Sequence, residues 1–255
     1  MGRRTIIKVV LAGTLAISRA ASPSDVGVAD FERLSQAVAT SPNDMLAGDR
    51  LRRLCRERKT IDRCVEFFQQ MSARWPNINA LHFNAALAYV DNLPHHNLFL
   101  QATYSSHSIA HASAILEREP DNWLALYIRG LNNLYWPLWY QRTDWAIADL
   151  TRCTQISRAL PAPRRRAYMA LAFLALGDVY ARLDKVPQAL GTWKAGLSLI
   201  PSPQLRQRLS VAPAVIHDEV EKIRDRDVPI DTGLATFMPE EGSASSKATG
   251  DVVSP

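Results

Sequence analysis

The sequence predicts an all-α protein, a series of antiparallel helix pairs stacked side by side, and three observations carry that expectation. First, LAFLALGDVYARLDKVPQALGTWKAGLSLIP, residues 171–201, reads as two facing helices. Small Gly177 and Ala189 let them approach closely, large Phe173, Tyr180 and Trp193 fill the space around them, and Pro201 ends the second. Second, the same residue places recur, in degraded form, in three earlier stretches. Third, one such pair cannot bury its apolar face alone, so it demands neighbours. At 255 residues and 47% hydrophobic content, the chain can fill the core of one elongated domain.

The elements follow in order. From Asp25 to Ala39, Phe31, Leu34 and Val38 recur at helical spacing, and Ser41-Pro42-Asn43-Asp44 stops that helix and caps the next. It is half a pair: Leu34, Ala37 and Pro42 match a second helix whose first helix is missing, and Asp30 stands where a small residue is wanted. The first full pair, Met45 to Pro76, carries Gly48, Leu51, Arg52, Cys55, Cys64, Phe68, Met71 and Pro76. The second, Asn79 to Pro120, carries His82, Ala85, Ala86, Tyr89, Ser108, Ala112, Ile115 and Pro120. It holds about ten surplus residues, read as a loop interrupting the pair from Asp91 to Ser106. In the third, from Trp123, come Leu126, Gly130 and Asn133, then Ala146, Leu150 and Cys153; Arg129 replaces a leucine and Pro161 arrives late. Pro137 is expected to kink or end its first helix. Two short capping helices, Gln204 to Val211 and Ala214 to Asp225, are split by Pro213. Residues 228–255 read as a tail, first extended and apolar (VPIDTGLATFMP), then low in complexity.

The spacing of Phe173, Leu176, Gly177, Tyr180, Ala189, Trp193 and Pro201 is that of W-x2-L-G-x2-Y, then A-x3-F, then P. The chain therefore resembles a tetratricopeptide-repeat protein over roughly residues 27–201, most closely in the last pair. The resemblance implies a right-handed α-solenoid that binds a peptide or helix of a protein partner along a concave groove lined by the first helix of each pair. Carried over by position, the groove takes Arg53 and Arg56 from the first pair, Phe83 and Leu87 from the second, and Tyr127, Leu131 and Tyr135 from the third. Leu174, Asp178 and Arg182 come from the fourth. Such a groove is charged at one end and apolar in the middle, too apolar to stay wet. Two occupants are open: a partner segment, or the chain's own Val228, Pro229, Ile230, Leu234, Phe237 and Met238.

The formal charge of +5 overstates how basic the folded part is. Arg3, Arg4, Lys8 and Arg19 lie in the first 21 residues, which contain no acid, so the rest is close to neutral. Neither nucleic acid nor an anionic membrane is expected as a partner. Residues 1–21 combine a basic start, an apolar run from Val9 to Ile17 and small Ala20 and Ala21, the pattern of an export signal. Gly-Arg-Arg-Thr-Ile-Ile-Lys resembles the twin-arginine motif, which implies periplasmic export and a partner such as an exported, cofactor-containing enzyme. An ordinary secretory signal and a mitochondrial presequence are the alternatives, and an uncleaved signal would be the sole membrane link.

Three further groups carry chemistry by residue type. Cys55 and Cys64 face each other across a tight reversal, as a disulfide or as two buried thiols. His95, His96, His107 and His111 cluster, and His107 and His111 share a helix face, so a metal site stands against plain structural histidines. Trp136, Trp139 and Tyr140 form either a binding platform or a plug for an irregular pair. No nucleophile elbow, phosphate-cradling loop, dinucleotide fingerprint or zinc signature is present, and no cofactor is expected. A non-catalytic scaffold is the expectation; a metal-binding accessory protein and an enzyme with an unrecognised site are the alternatives.

Overall fold

The computed structural model describes residues 23–134, 136, 141–225 and 232–237. Among the described residues lie eleven α-helices and no strand. They are α1 (Pro23–Thr40), α2 (Met45–Arg58), α3 (Ile61–Arg74), α4 (Asn79–Asn92), α5 (Leu98–Arg118), α6 (Trp123–Leu134), α7 (Thr143–Ala159), α8 (Ala170–Arg182), α9 (Val186–Leu199), α10 (Pro203–Leu209) and α11 (Ile216–Asp225). Helices α2 to α9 form four antiparallel pairs, and each second helix also packs against the first helix of the next pair. Helix α1 packs on α2 as the odd half-pair; α10 and α11 cover α8 at the other end. The segment read as an export signal lies outside the described residues, and no described helix is long and apolar enough to cross a membrane.

Proline sets the stride of the stack. Helices α1, α3, α5, α7 and α9 each end two residues before one: Pro42, Pro76, Pro120, Pro161 and Pro201. A proline ring crowds the residue before it out of helical geometry, so each of these helices stops where the next pair must begin. The following starts are capped locally. Asp44 accepts from the amides of Leu46 and Ala47, both at 2.9 Å, and Asn122 accepts from the amide of Ala125 at 3.1 Å.

Close approach within a pair depends on small residues. A methyl group placed on Gly177 would fall 2.1 Å from Trp193 Nε1, so only glycine lets α8 meet the indole. The indole is fully buried and donates to the Leu174 carbonyl at 3.1 Å.

The surplus in the second pair is mostly helix. Helix α5 runs for 21 residues, against 14 in α3 and α9. Asn97 caps it through the Leu100 amide at 3.1 Å, and no glycine or proline follows until Pro120. The surplus therefore lengthens the hairpin at its turn end. In the third pair α6 stops at Leu134, ahead of Pro137.

Candidate functional site

Arg52 occupies the place where the last pair has Gly177 and the third has Gly130. Its side chain is fully buried between α2 and α4, with each branch of the guanidinium used. Nε donates to Asn84 Oδ1 at 3.0 Å, Nη1 to Asp91 Oδ2 at 2.9 Å, and Nη2 to Asp49 Oδ1 at 2.8 Å. Both carboxylates are buried, and each takes a second guanidinium from the rim. Arg56 Nη1 lies 2.9 Å from both oxygens of Asp91, and Arg53 Nη2 lies 3.1 Å from Asp49 Oδ2. Buried charge on this scale is tolerable only when paired and hydrogen-bonded throughout, and this network meets that condition.

The network also holds a piece of chain from far along the sequence. Thr232 presents its carbonyl to Arg52 Nη2 at 2.7 Å, and its hydroxyl accepts from Arg56 Nη1 at 2.9 Å while donating to Asp91. The Leu234 amide donates to Asp49 Oδ1 at 3.0 Å. From Leu234 to Phe237 the chain makes one 3-10 turn. That overturns the extended reading of this stretch, and the reason is geometric: a strand would send residues three apart to opposite faces, whereas a 3-10 turn stacks them on one. Leu234 is thereby fully buried in the main core, which also holds Phe83 and Leu87. Phe237 sits edge-on to Tyr168 at 5.3 Å and tilted to Tyr127 at 6.0 Å. Thr232–Phe237 thus forms a strap across the inner face of α2, α4 and α6.

No protein-family model matches this chain, and no curated protein matches it by sequence. Among solved structures it is similar to a thermophilic tetratricopeptide-repeat protein of Thermus thermophilus, with a TM-score of 0.53 at 18% identity over 72% of this chain and 89% of that one. The chain has the tetratricopeptide fold. A tetratricopeptide-repeat protein of Parabacteroides merdae aligns over 83% of this chain and 93% of that one, at 14% identity and a TM-score of 0.39.

Within the tetratricopeptide fold the ten carried-over groove positions divide. Arg56, Phe83, Leu87 and Tyr127 meet the strap or share its core, and Arg53 stands on the rim. Leu131 packs instead with the smaller cluster of Leu134, Leu150 and Leu176, and Tyr135 lies outside the described residues. Leu174 is half-buried on the main core. Asp178 and Arg182 are taken by the two end helices. Arg208 of α10 grips Asp178 through two bonds of 2.8 Å; burial raises the Asp178 carboxyl and Arg208 opposes the rise. Arg182 donates to Glu221 of α11 at 2.7 Å and to the Leu134 carbonyl. The last pair therefore presents no open charged wall.

Arg52, Asn84, Tyr168 and Thr232 were among the residues of the site that escaped sequence reasoning. The available signal for Arg52 was an arginine at a small-residue position with Asp49 one turn before it.

The remaining candidates fall elsewhere. Cys55 and Cys64 are free, buried thiols in hydrogen-bonding contact, and burial followed by that bond pushes Cys64 well up. Cys153 is free and is raised by burial. Trp136 is buried, donates to Ser105 Oγ at 2.7 Å and lies under Arg142, whereas Trp139 and Tyr140 lie outside the described residues. Among the described residues no three metal-ligating groups converge. His95 is exposed, His96 packs on Tyr104, and His107 stacks on Tyr89.

His111 turns to His82, with 3.1 Å between their Nδ1 atoms. The Pro76 carbonyl, 2.8 Å from His82 Nε2, can only accept, so that nitrogen carries the proton and His82 Nδ1 accepts from His111. Burial lowers both rings, His111 to about 4, with His82 and His107 adding repulsion; Arg118 adds to the lowering at His82. Because these folded values lie below the unfolded one, the unfolded chain binds protons first. The pair leaves stability untouched above about pH 6.5, and stability falls from there toward about pH 4, by at most on the order of 3 kcal/mol for His111. Urea midpoints at pH 7 and pH 4.5 should differ more in the parent chain than in His111→Gln; equal differences would refute the assignment.

Proposed function

We propose that this chain is a non-catalytic scaffold that takes a short segment of a partner protein on the inner face of α2, α4 and α6. The observation that supports the reading is the strap itself. A peptide turn is held there by a prearranged polar network and an apolar wall, which is what recognition of such a segment requires. Arg52 and Asp49 fix the orientation of the segment's main chain, Arg56 and Asp91 hold its hydroxyl, and Tyr127 and Tyr168 accept its aromatic end.

The basic, acid-free opening with Arg3 and Arg4 supports export to a periplasm. The partner class that such a signal favours is a protein exported alongside, such as a folded, cofactor-containing enzyme.

A photo-cross-linking residue at position 127, in cells carrying the full-length gene, tests both parts. Expected is a discrete adduct with one other protein, absent when the probe replaces exposed Phe99 on α5 and absent when Arg3→Lys with Arg4→Lys blocks export. No intermolecular adduct at position 127 would end the scaffold reading; normal export of the double-lysine chain would end the twin-arginine one.

A further inference from the structure

Building on the scaffold reading, we infer that the strap is a template for the partner: the inner face binds a neutral segment with a hydroxyl residue, a small residue, then leucine and an aromatic three apart in one helical turn, and the chain's own Thr232–Phe237 holds the site until that segment displaces it.

The polar wall belongs to the repeat helices: Asp49 pairs with Arg52 and Arg53 within α2, and Arg52 and Arg56 reach Asp91 of α4. Among the contacts described, the strap brings a carbonyl, an amide, a hydroxyl and two side chains. Ala235 and Thr236 point to solvent, so those two places carry no requirement. The strap therefore meets the wall as a ligand does, at a few defined points.

Charge decides which segments fit. Thr232 Oγ1 both accepts from Arg56 and donates to Asp91, so an acidic residue in its place would face the Asp91 carboxylate, a basic one would face the Arg56 guanidinium, and either would lose its water. Only main-chain groups and a hydroxyl satisfy what remains. At the apolar end, Leu234 is enclosed while Phe237 meets a ring of aromatics, so the first position selects for shape and the second for a flat ring.

Tethering explains how the same site can be occupied and still available. Six residues separate α11 from Thr232, which holds the strap at an effective concentration on the order of millimolar. A free segment must compete with that, and its apparent affinity rises when the strap is weakened.

The test uses the full chain and a fluorescent synthetic peptide of residues 228–239 as probe. Carrying Leu234→Ala with Phe237→Ala, the chain should bind the peptide about tenfold more tightly than the parent chain does, with helicity unchanged. Because Leu234 is buried, Thr232→Val provides a second route: it removes the hydroxyl contacts alone and should raise affinity several-fold. A peptide in which leucine and phenylalanine are both alanine should not bind. Equal binding to parent and weakened chains, or equal binding of the alanine peptide, overturns the inference. Peptide binding without a cross-link at position 127 in cells keeps the inference and removes the scaffold role; a cross-link without peptide binding does the reverse.

Discussion

Exchanging Arg52 for methionine should destabilise the chain by about 3–5 kcal/mol, since it strips the central guanidinium from two buried carboxylates and leaves Asn84 Oδ1 without its donor. The volume change is small, so the loss is electrostatic. Adding Asp49→Asn and Asp91→Asn to the same chain should recover a good part of it, because the uncompensated charges disappear. Urea unfolding of the single and triple variants checks both statements. A single-variant loss below about 1 kcal/mol would mean that the carboxylates do not depend on Arg52.

Trp193→Ala should cost a comparable amount, about 3–5 kcal/mol, because the indole is fully buried and Gly177 opposite has no side chain to fill the void. The pair gives a sharper test through coupling. Gly177→Ala alone should destabilise, although alanine is favoured over glycine in a helix by about 1 kcal/mol, because its methyl group would collide with the indole. With Trp193 already removed, the same change should become neutral or stabilising, a coupling of about 1–3 kcal/mol. Additive effects in urea unfolding would refute the close approach of α8 and α9 at this point.

What the sequence made legible was local. Five prolines, each two residues beyond a helix end, mark the stride of the stack, and Asp44 advertises the start of α2. Gly177, Ala189 and Trp193 report a contact between neighbouring helices, where spacing along the chain fixes spacing in space. The length of α5 was hidden because Leu98–Ser106 has no strong helix period of its own beside its aromatic and hydroxyl residues; its continuity comes from the Asn97 cap and from packing on α4 and α6. Arg52 was hidden because its partner Asp91 lies 39 residues away; the apolar Leu234 and Phe237 of the strap were legible as one of two candidate occupants, whereas its polar anchor Thr232, which reaches back across 180 residues, was not. Asp178 and Arg182 carried the right position for a groove, yet the end helices that claim them approach from outside the repeat pattern.

The strap also alters what kind of object the stack is. A solenoid is in essence one-dimensional: each unit feels only its neighbours, and either end can fray without the other responding. Here the chain beyond α11 is bonded to α2, so a segment downstream of the stack grips the first full hairpin. The line is closed into a loop, and melting that would otherwise begin at one terminus is tied to the fate of both.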